Sequence, residues 1–143
     1  MEKIITYLSF TLLLLISAFT PIASAADRPA EFVVQLTRSG DNYGHRRAFL
    51  QLDKILSDIG EDKIKFTVVA YEEGIQALTA KNKGTNQLLT KLSNRGVSFK
   101  ACRISMNAWN LTEDDFPLEV EYVPAGAPEV IRLQMEGYKY WKQ

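Results

Sequence analysis

Short apolar runs alternate along this sequence with longer stretches of helical spacing. Residues 31–36 (EFVVQL) and 64–70 (IKFTVVA) are rich in β-branched and aromatic residues, which favours buried strands, and similar runs occupy 97–101 and 118–123. Apolar residues recur at three- and four-residue spacing between and after these runs, over 48–59, 75–92, 104–111 and 130–138. The pattern predicts a strand followed by a helical segment, repeated four times.

Strands separated by helix-length segments pair in parallel through right-handed crossovers. The predicted fold class is therefore α/β, with a doubly wound, mostly parallel sheet of four or five strands and helices on both faces. The tail from Tyr138 to Lys142 is a candidate edge strand that the pattern leaves undecided.

Two turn regions in the second half carry helix-start signals. Thr112 and Asp115 have the spacing of a capping box. Gly126 is expected to relax the backbone before a last helix near Pro128, whose Val130, Ile131, Met135 and Tyr138 would face apolar partners.

The first residues have the pattern of a cleaved secretory signal. An apolar run interrupted by hydroxyl side chains follows Lys3, and the small residues Ala23-Ser24-Ala25 match a cleavage site. We therefore expect cleavage after Ala25, one domain over residues 26–143, and a periplasmic or secreted protein without membrane contact after cleavage. A retained anchor is the alternative, which the hydroxyl residues disfavour.

Charge and residue counts disfavour several classes of function. Basic and acidic residues number 17 each, without a block of either sign, which argues against a nucleic-acid or membrane-surface partner. With one cysteine, Cys102, and one histidine, His45, a single chain lacks the ligands of a structural zinc site and cannot form an internal disulfide. No glycine-rich phosphate loop is present. We expect neither a metal nor a bound cofactor.

Cys102 is the candidate reactive residue. It directly follows the apolar run 97–101, and ligands of open parallel sheets collect beyond the carboxyl ends of the strands. A helix that starts directly after it would direct N–H groups at the sulfur and stabilise a thiolate, and Arg103 would add a positive charge. The alternative is an inert cysteine that packs as a small buried hydrophobe.

Other residues with reactive or ligand-binding side chains have both a functional and a structural interpretation. His45, in the segment after the first strand, is either a proton shuttle near the sulfur or a solvated residue at a helix start. The acids Glu113-Asp114-Asp115 fit a solvated turn better than a metal site, since consecutive carboxylates do not converge on one ion. Large aromatics are expected in the core or in subunit contacts rather than in a stacking site: Trp109, Tyr138, Tyr140 and Trp141.

Most of the mature chain resembles the DsrE/DsrF-like family, most specifically from Ala101 to Lys142. The resemblance rests on the cysteine after the third strand, Leu111 to Asp115 (LTEDD), Val120 to Ile131 (VEYVPAGAPEVI), Gly137-Tyr138 and Trp141-Lys142. It implies a flavodoxin-like fold, assembly as a homotrimer or homohexamer, and a sulfur-relay role in which a cysteine at the position of Cys102 carries a persulfide.

Two functions remain open after these observations. The first is a periplasmic DsrE-like sulfur carrier or transferase that acts through a persulfide on Cys102, with Arg103, Asn107 and His45 as neighbouring binding residues and a periplasmic sulfur donor or acceptor as partner. The second is a non-catalytic periplasmic oligomeric module for binding or assembly, in which Cys102 is inert.

Overall fold

A computed structural model describes residues 28–143 apart from positions 39 and 41, and leaves the side chains of positions 42 and 43 undescribed. The predicted signal segment 1–25 and its cleavage site lie outside the described residues. In the described part of the chain, five strands and four α-helices follow one another: β1 Ala30–Leu36, α1 Asn42–Ile59, β2 Ile64–Ala70, α2 Asn86–Asn94, β3 Ser98–Cys102, α3 Arg103–Ala108, β4 Val120–Val123, α4 Gly126–Met135 and β5 Lys139–Lys142. Two 3-10 helices span Glu72–Leu78 and Glu113–Asp115.

The strands form one sheet in the order β4-β3-β2-β1-β5, and every neighbouring pair is parallel. The chain steps across the sheet from β1 to β4 and then returns through α4 to place β5 beside β1. This is the predicted α/β class, and the tail that the pattern left undecided is an edge strand.

Side chains alternate between two faces of the sheet because successive residues of a strand point to opposite sides. The face that carries Val34, Val68 and Phe99, here called the core face, packs against α1, α2 and α3 in one large cluster of buried apolar residues. The face that carries Val33 and Val69, here called the α4 face, packs against Val130 and Leu133 of α4. Helices thus cover both sides, as a doubly wound sheet requires.

Helix ends follow the local sequence. Gly60 adopts φ 106° and its N–H donates to the carbonyl of Leu56, which ends α1 in a left-handed conformation that favours glycine. The predicted capping box is confirmed, although it caps a 3-10 turn: the Thr112 N–H donates to Asp115 Oδ2 at 2.9 Å. Among the described residues, no helix is long and apolar enough to cross a membrane.

Two details of the predicted elements are wrong. The fourth strand begins at Val120, and Leu118 is fully exposed before it. In α4 the buried apolar side chains are Val130 and Leu133, whereas Ile131 is 57 % and Met135 84 % exposed, and Tyr138 lies beyond the end of the helix. Because α4 has a single sheet surface to cover, a narrow apolar stripe is enough, and the remaining apolar side chains face outward.

Candidate functional site

Cys102 is the last residue of β3, at the carboxyl edge of the sheet. Its side chain is only 3 % exposed. Ala70 of β2 pairs with Ala101, so Tyr71 and Cys102 are the next residues along two adjacent strands, where backbones lie about 4.8 Å apart. Ala101 belongs to the core face, and Cys102 therefore projects on the α4 face.

The sulfur of Cys102 accepts a hydrogen bond from the backbone N–H of Gly126, at 3.2 Å. Gly126 is the first residue of α4, so the positive end of this ten-residue helix meets the sulfur. The expectation that α3 would supply the N–H groups is wrong. Cys102 precedes α3 without a side-chain capping bond, because α3 packs on the core face through Met106 while the cysteine side chain points to the opposite face.

Gly126 is required by close packing rather than by backbone freedom. A Cβ atom at this position would lie 2.5 Å from Cδ1 of Tyr71 and 2.7 Å from its Cβ, distances that real Cβ atoms essentially never show. The φ of Gly126 is not positive. Gly126 therefore lets α4 approach Tyr71 closely, and this approach brings its N–H to Cys102.

Tyr71 is held by a short chain of side-chain hydrogen bonds on the α4 face. Gln35 Nε2 donates to Tyr71 Oη, and Tyr140 Oη donates to Gln35 Oε1. Burial, followed by the charge of Glu72, raises the pKa of Tyr71, and an ionised Cys102 contributes in the same direction. The phenol thus stays neutral at physiological pH, and it lies within electrostatic range of the thiol.

An ion-pair network fastens α4 to the sheet beside this site. Glu129 Oε1 lies 2.8 Å from Lys100 Nζ of β3, and Glu129 Oε2 lies 2.8 Å from Arg132 Nε. The bond from Arg132, with that from Lys100, lowers the pKa of Glu129 to about 2. Since the Glu129 side chain is only 10 % exposed, the charge of its carboxylate must be compensated by the two cations, Lys100 and Arg132.

The two predicted neighbours of Cys102 on α3 are directed elsewhere. The Arg103 guanidinium binds Glu113 at 2.6 Å and lies 5.1 Å from the ring centroid of Tyr122. Tyr122 packs against the core-face cluster, so Arg103 reaches that side of the sheet. Asn107 is exposed, and its side chain makes no hydrogen bond within the described part of the chain.

His45 is buried at 2 % exposure, which excludes a solvated residue. Its Nε2 donates to the carbonyl of Arg38 at 3.0 Å and so ties α1 to the loop after β1. Because α1 packs on the core face, the imidazole and Cys102 belong to opposite sides of the sheet. No hydrogen bond joins them among the described residues.

The acidic and aromatic groups have structural contacts. Glu113 binds Arg103, and Asp115 caps the turn. Among the residues that the structure describes, no three His, Cys, Asp or Glu side chains are arranged to hold a metal ion. Trp141 packs against Phe66 with ring centroids 6.1 Å apart. Trp109 and Tyr140 are 44 % and 45 % exposed, so neither is a core residue of one chain.

Four residues around Cys102 were not predicted as site residues from the sequence: Gln35, Tyr71, Gly126 and Tyr140. Two signals were available. Tyr71 directly follows a strand whose carboxyl end borders that of β3, and a glycine two residues before Pro128, right after a strand, marks a helix start that can approach another element closely. Neither signal specifies which element is approached.

Comparison with known proteins agrees with this architecture. One matching solved structure is the protein of unknown function MTH1491 from Methanobacterium thermoautotrophicum, with 23 % identity, a TM-score of 0.69, and coverage of 82 % of this chain and 100 % of that chain. At this identity the likeness shows the fold alone. A search among curated proteins found no match.

The family comparison covers nearly the whole described chain. The sequence profile of the DsrE/DsrF-like family matches residues 30–142, from the first residue of β1 to the last residue of β5. That range contains all five strands and the Cys102 site. The chain therefore belongs to the DsrE/DsrF-like family.

Proposed function

We propose that this protein is an exported sulfur carrier that holds a persulfide on Cys102. Membership of the DsrE/DsrF-like family supports a sulfur-relay role. The resemblance of Cys102 to the sulfur-carrying cysteine of that family supports this residue as the carrier. The signal-like N-terminus supports work in the periplasm or outside the cell. Its partners in this proposal are a periplasmic sulfur donor and acceptor.

The observation that carries the proposal is the Gly126 N–H that donates to the Cys102 sulfur at 3.2 Å. A donor at a helix N-terminus stabilises negative charge on sulfur, which the nucleophilic thiolate requires. The next residue, Ala127, has a backbone N–H without a partner among the described residues, and Pro128 has none. In this proposal, the second N–H donates to the terminal sulfur of a persulfide.

The proposed transfer needs no outside oxidant. The Cys102 thiolate attacks the outer sulfur of a low-molecular-weight persulfide, R–S–SH; a new S–S bond forms on Cys102, the donor S–S bond breaks, and R–S⁻ leaves. The outer sulfur keeps its proton. A nucleophilic acceptor then takes that sulfur by the same type of attack and releases the Cys102 thiolate.

The burial of Cys102 favours a second candidate function. At 3 % exposure, the sulfur is as hidden as an ordinary core cysteine. In this alternative, the protein is a non-catalytic oligomeric module for binding or assembly, and Gly126 merely satisfies a buried thiol.

Sulfur loading decides between the two candidates. Native protein is incubated with glutathione persulfide, freed of excess reagent, and its intact mass is recorded, with Cys102→Ser and a peptide of residues 97–108 as controls. We expect the wild type to gain one sulfur atom faster than the peptide, and Cys102→Ser to gain none. Loading slower than the peptide, or absent, would leave the binding module as the function.

Export and assembly are separate parts of the proposal. N-terminal sequencing of protein from the periplasm is expected to begin at position 26, and a retained Met1 in the membrane fraction would contradict it.

The family resemblance supports a homotrimer or homohexamer, and the exposed apolar side chains of Leu118, Ile131 and Met135 offer surface for subunit contacts. Light scattering that gives a monomer at micromolar concentration would exclude this assembly.

A further inference from the structure

The ring of Tyr71 lies directly against the residue that binds the Cys102 sulfur. Cδ1, Cγ and Cβ of Tyr71 all fall within 2.7 Å of the position that a Cβ of Gly126 would occupy. By strand register Tyr71 is also the direct neighbour of Cys102. A persulfide places one additional sulfur atom in this crowded space, so the position of the ring bears on access to Cys102.

The backbone beneath this ring is fixed. Glu72 adopts φ 51°, which is uncommon for a residue other than glycine. Its N–H donates to the hydroxyl of Ser105 at 2.8 Å, and the Tyr71 N–H donates to the carbonyl of Leu36 at 3.2 Å. The ring therefore moves by rotation of the side chain rather than by a shift of the loop.

The phenol end of the ring is held by side chains from two other strands. Gln35 of β1 donates to Tyr71 Oη, and its own amide oxygen accepts from Tyr140 of the edge strand β5. Tyr140 is 45 % exposed, so the outer end of this chain reaches the surface. The Tyr140 hydroxyl orients the Gln35 amide, because an amide whose oxygen accepts from Tyr140 presents its nitrogen to Tyr71.

We propose that Tyr71 is a gate over Cys102 and that Gln35 and Tyr140 form its latch. When the latch is closed, the ring packs on Gly126 and the thiol is shielded; when it opens, side-chain rotation admits a small persulfide. This inference rests on the proposed function, since it assigns to Tyr71 the control of access to the proposed carrier thiol. Tyr71 acts through Cys102 and is a positioning residue.

The test measures alkylation of Cys102 in the folded protein by iodoacetamide, followed by intact mass. Tyr71→Phe keeps the ring and removes the hydroxyl, and Tyr140→Phe removes the outer hydroxyl. We expect Tyr71→Phe to raise the alkylation rate by roughly fivefold, the change that the loss of one ordinary hydrogen bond produces, and Tyr140→Phe to raise it by less. Tyr71→Ala should raise it most and should also admit a bulky maleimide.

Tyr138→Phe is the matched control. Tyr138 packs against the same small apolar cluster of the α4 face, but its hydroxyl lies 3.5 Å from Glu31, away from the latch. We expect wild-type alkylation in this variant. Rates of Tyr71→Phe and Tyr140→Phe equal to the wild type, or a rise of the same size in Tyr138→Phe, would overturn the gate.

Thermal unfolding of each variant separates gating from general loosening. If the alkylation rate of Cys102 rises in every variant in proportion to its loss of thermal stability, the gate is also refuted. The assay contains no sulfur donor, so its outcome is independent of sulfur loading. Faster alkylation in the latch variants together with no loading in any protein would retain the gate and reject the carrier function.

Discussion

Between the core face and its three helices, large apolar side chains such as Phe49 of α1 and Phe99 of β3 are completely buried, whereas the buried apolar cluster under α4 has four residues in the described chain. The α4 face carries instead the Cys102 thiol, the Gln35 amide and the Lys100–Glu129 ion pair. We therefore expect the core face to contribute most of the stability, while the candidate site lies on the α4 face. One helix, α4, covers these polar groups, and the exposed Tyr140 links the Gln35 amide to the surface.

The largest effect is expected from a cavity on the core face. Phe99 is fully buried, with its ring centroid 5.3 Å from that of Phe49. Phe99→Ala should lower the free energy of unfolding by about 3–5 kcal/mol, because it removes both the transfer energy and the packing of a large side chain. Urea denaturation measures the loss.

Val130→Ala gives the matching measurement on the α4 face. It removes fewer atoms from a smaller cluster, and a loss of about 1–2 kcal/mol is expected. A loss at Val130 as large as that at Phe99 would contradict the assignment of stability to the core face.

Gly126→Ala tests the close approach of α4 to Tyr71. The added methyl meets the ring near its attachment to the backbone, so the ring or the helix must move, at a cost of about 1–3 kcal/mol. Since that movement displaces the Tyr71 ring from its closed position in the proposed gate, alkylation of Cys102 should also become faster.

Gly96→Ala is the control for this variant. Gly96 has φ 86° and open space around it, so alanine there costs about 1–2 kcal/mol through backbone strain, far from the sulfur. Its alkylation rate should equal that of the wild type. Equal alkylation in the two glycine variants would show that Gly126 has no particular relation to Cys102.

The ion pair under α4 should make part of the stability depend on pH. The pKa of Glu129 is about 2 in the folded protein and ordinarily about 4.5, so its contribution is complete above pH 4.5 and is lost as the pH falls toward 2. Glu129→Gln should lower the free energy of unfolding at pH 7 by about 1–2 kcal/mol, a value reduced by solvent because Arg132 is 50 % exposed.

Glu136→Gln is the matched substitution on the same helix. Glu136 also binds Arg132, but it is 51 % exposed, so a change below about 0.5 kcal/mol is expected. Urea denaturation between pH 2 and pH 7 compares the two. If the free energy of unfolding of Glu129→Gln falls with pH as steeply as that of the wild type, the acid-labile group lies elsewhere.

The sequence predicted the parts of this molecule that depend on neighbours along the chain. Runs such as residues 64–70 specify strands by local composition, and the end of β3 placed Cys102 at the carboxyl edge. The partner of its sulfur could not be predicted in this way, because Gly126 is 24 positions away and the nearest helix was the obvious source of N–H groups. The strand β5 (KYWK) stayed undecided because four residues with two lysines become a strand only beside β1.

A similarly small effect is expected at Arg103, the residue that stands next to Cys102 in the sequence. Its guanidinium binds Glu113 and lies over Tyr122, and the ion pair is largely exposed to solvent, with side-chain exposures of 51 % and 55 %. Arg103→Ala should therefore lower the free energy of unfolding by about 0.5 kcal/mol and leave the alkylation rate of Cys102 unchanged. Arg103→Lys is the control that keeps the charge. If both variants alkylate at the wild-type rate, the α4 face alone sets the reactivity of the thiol. If only Arg103→Ala reacts more slowly, the charge of Arg103 acts on the sulfur across the sheet, and the separation between the two faces is incomplete.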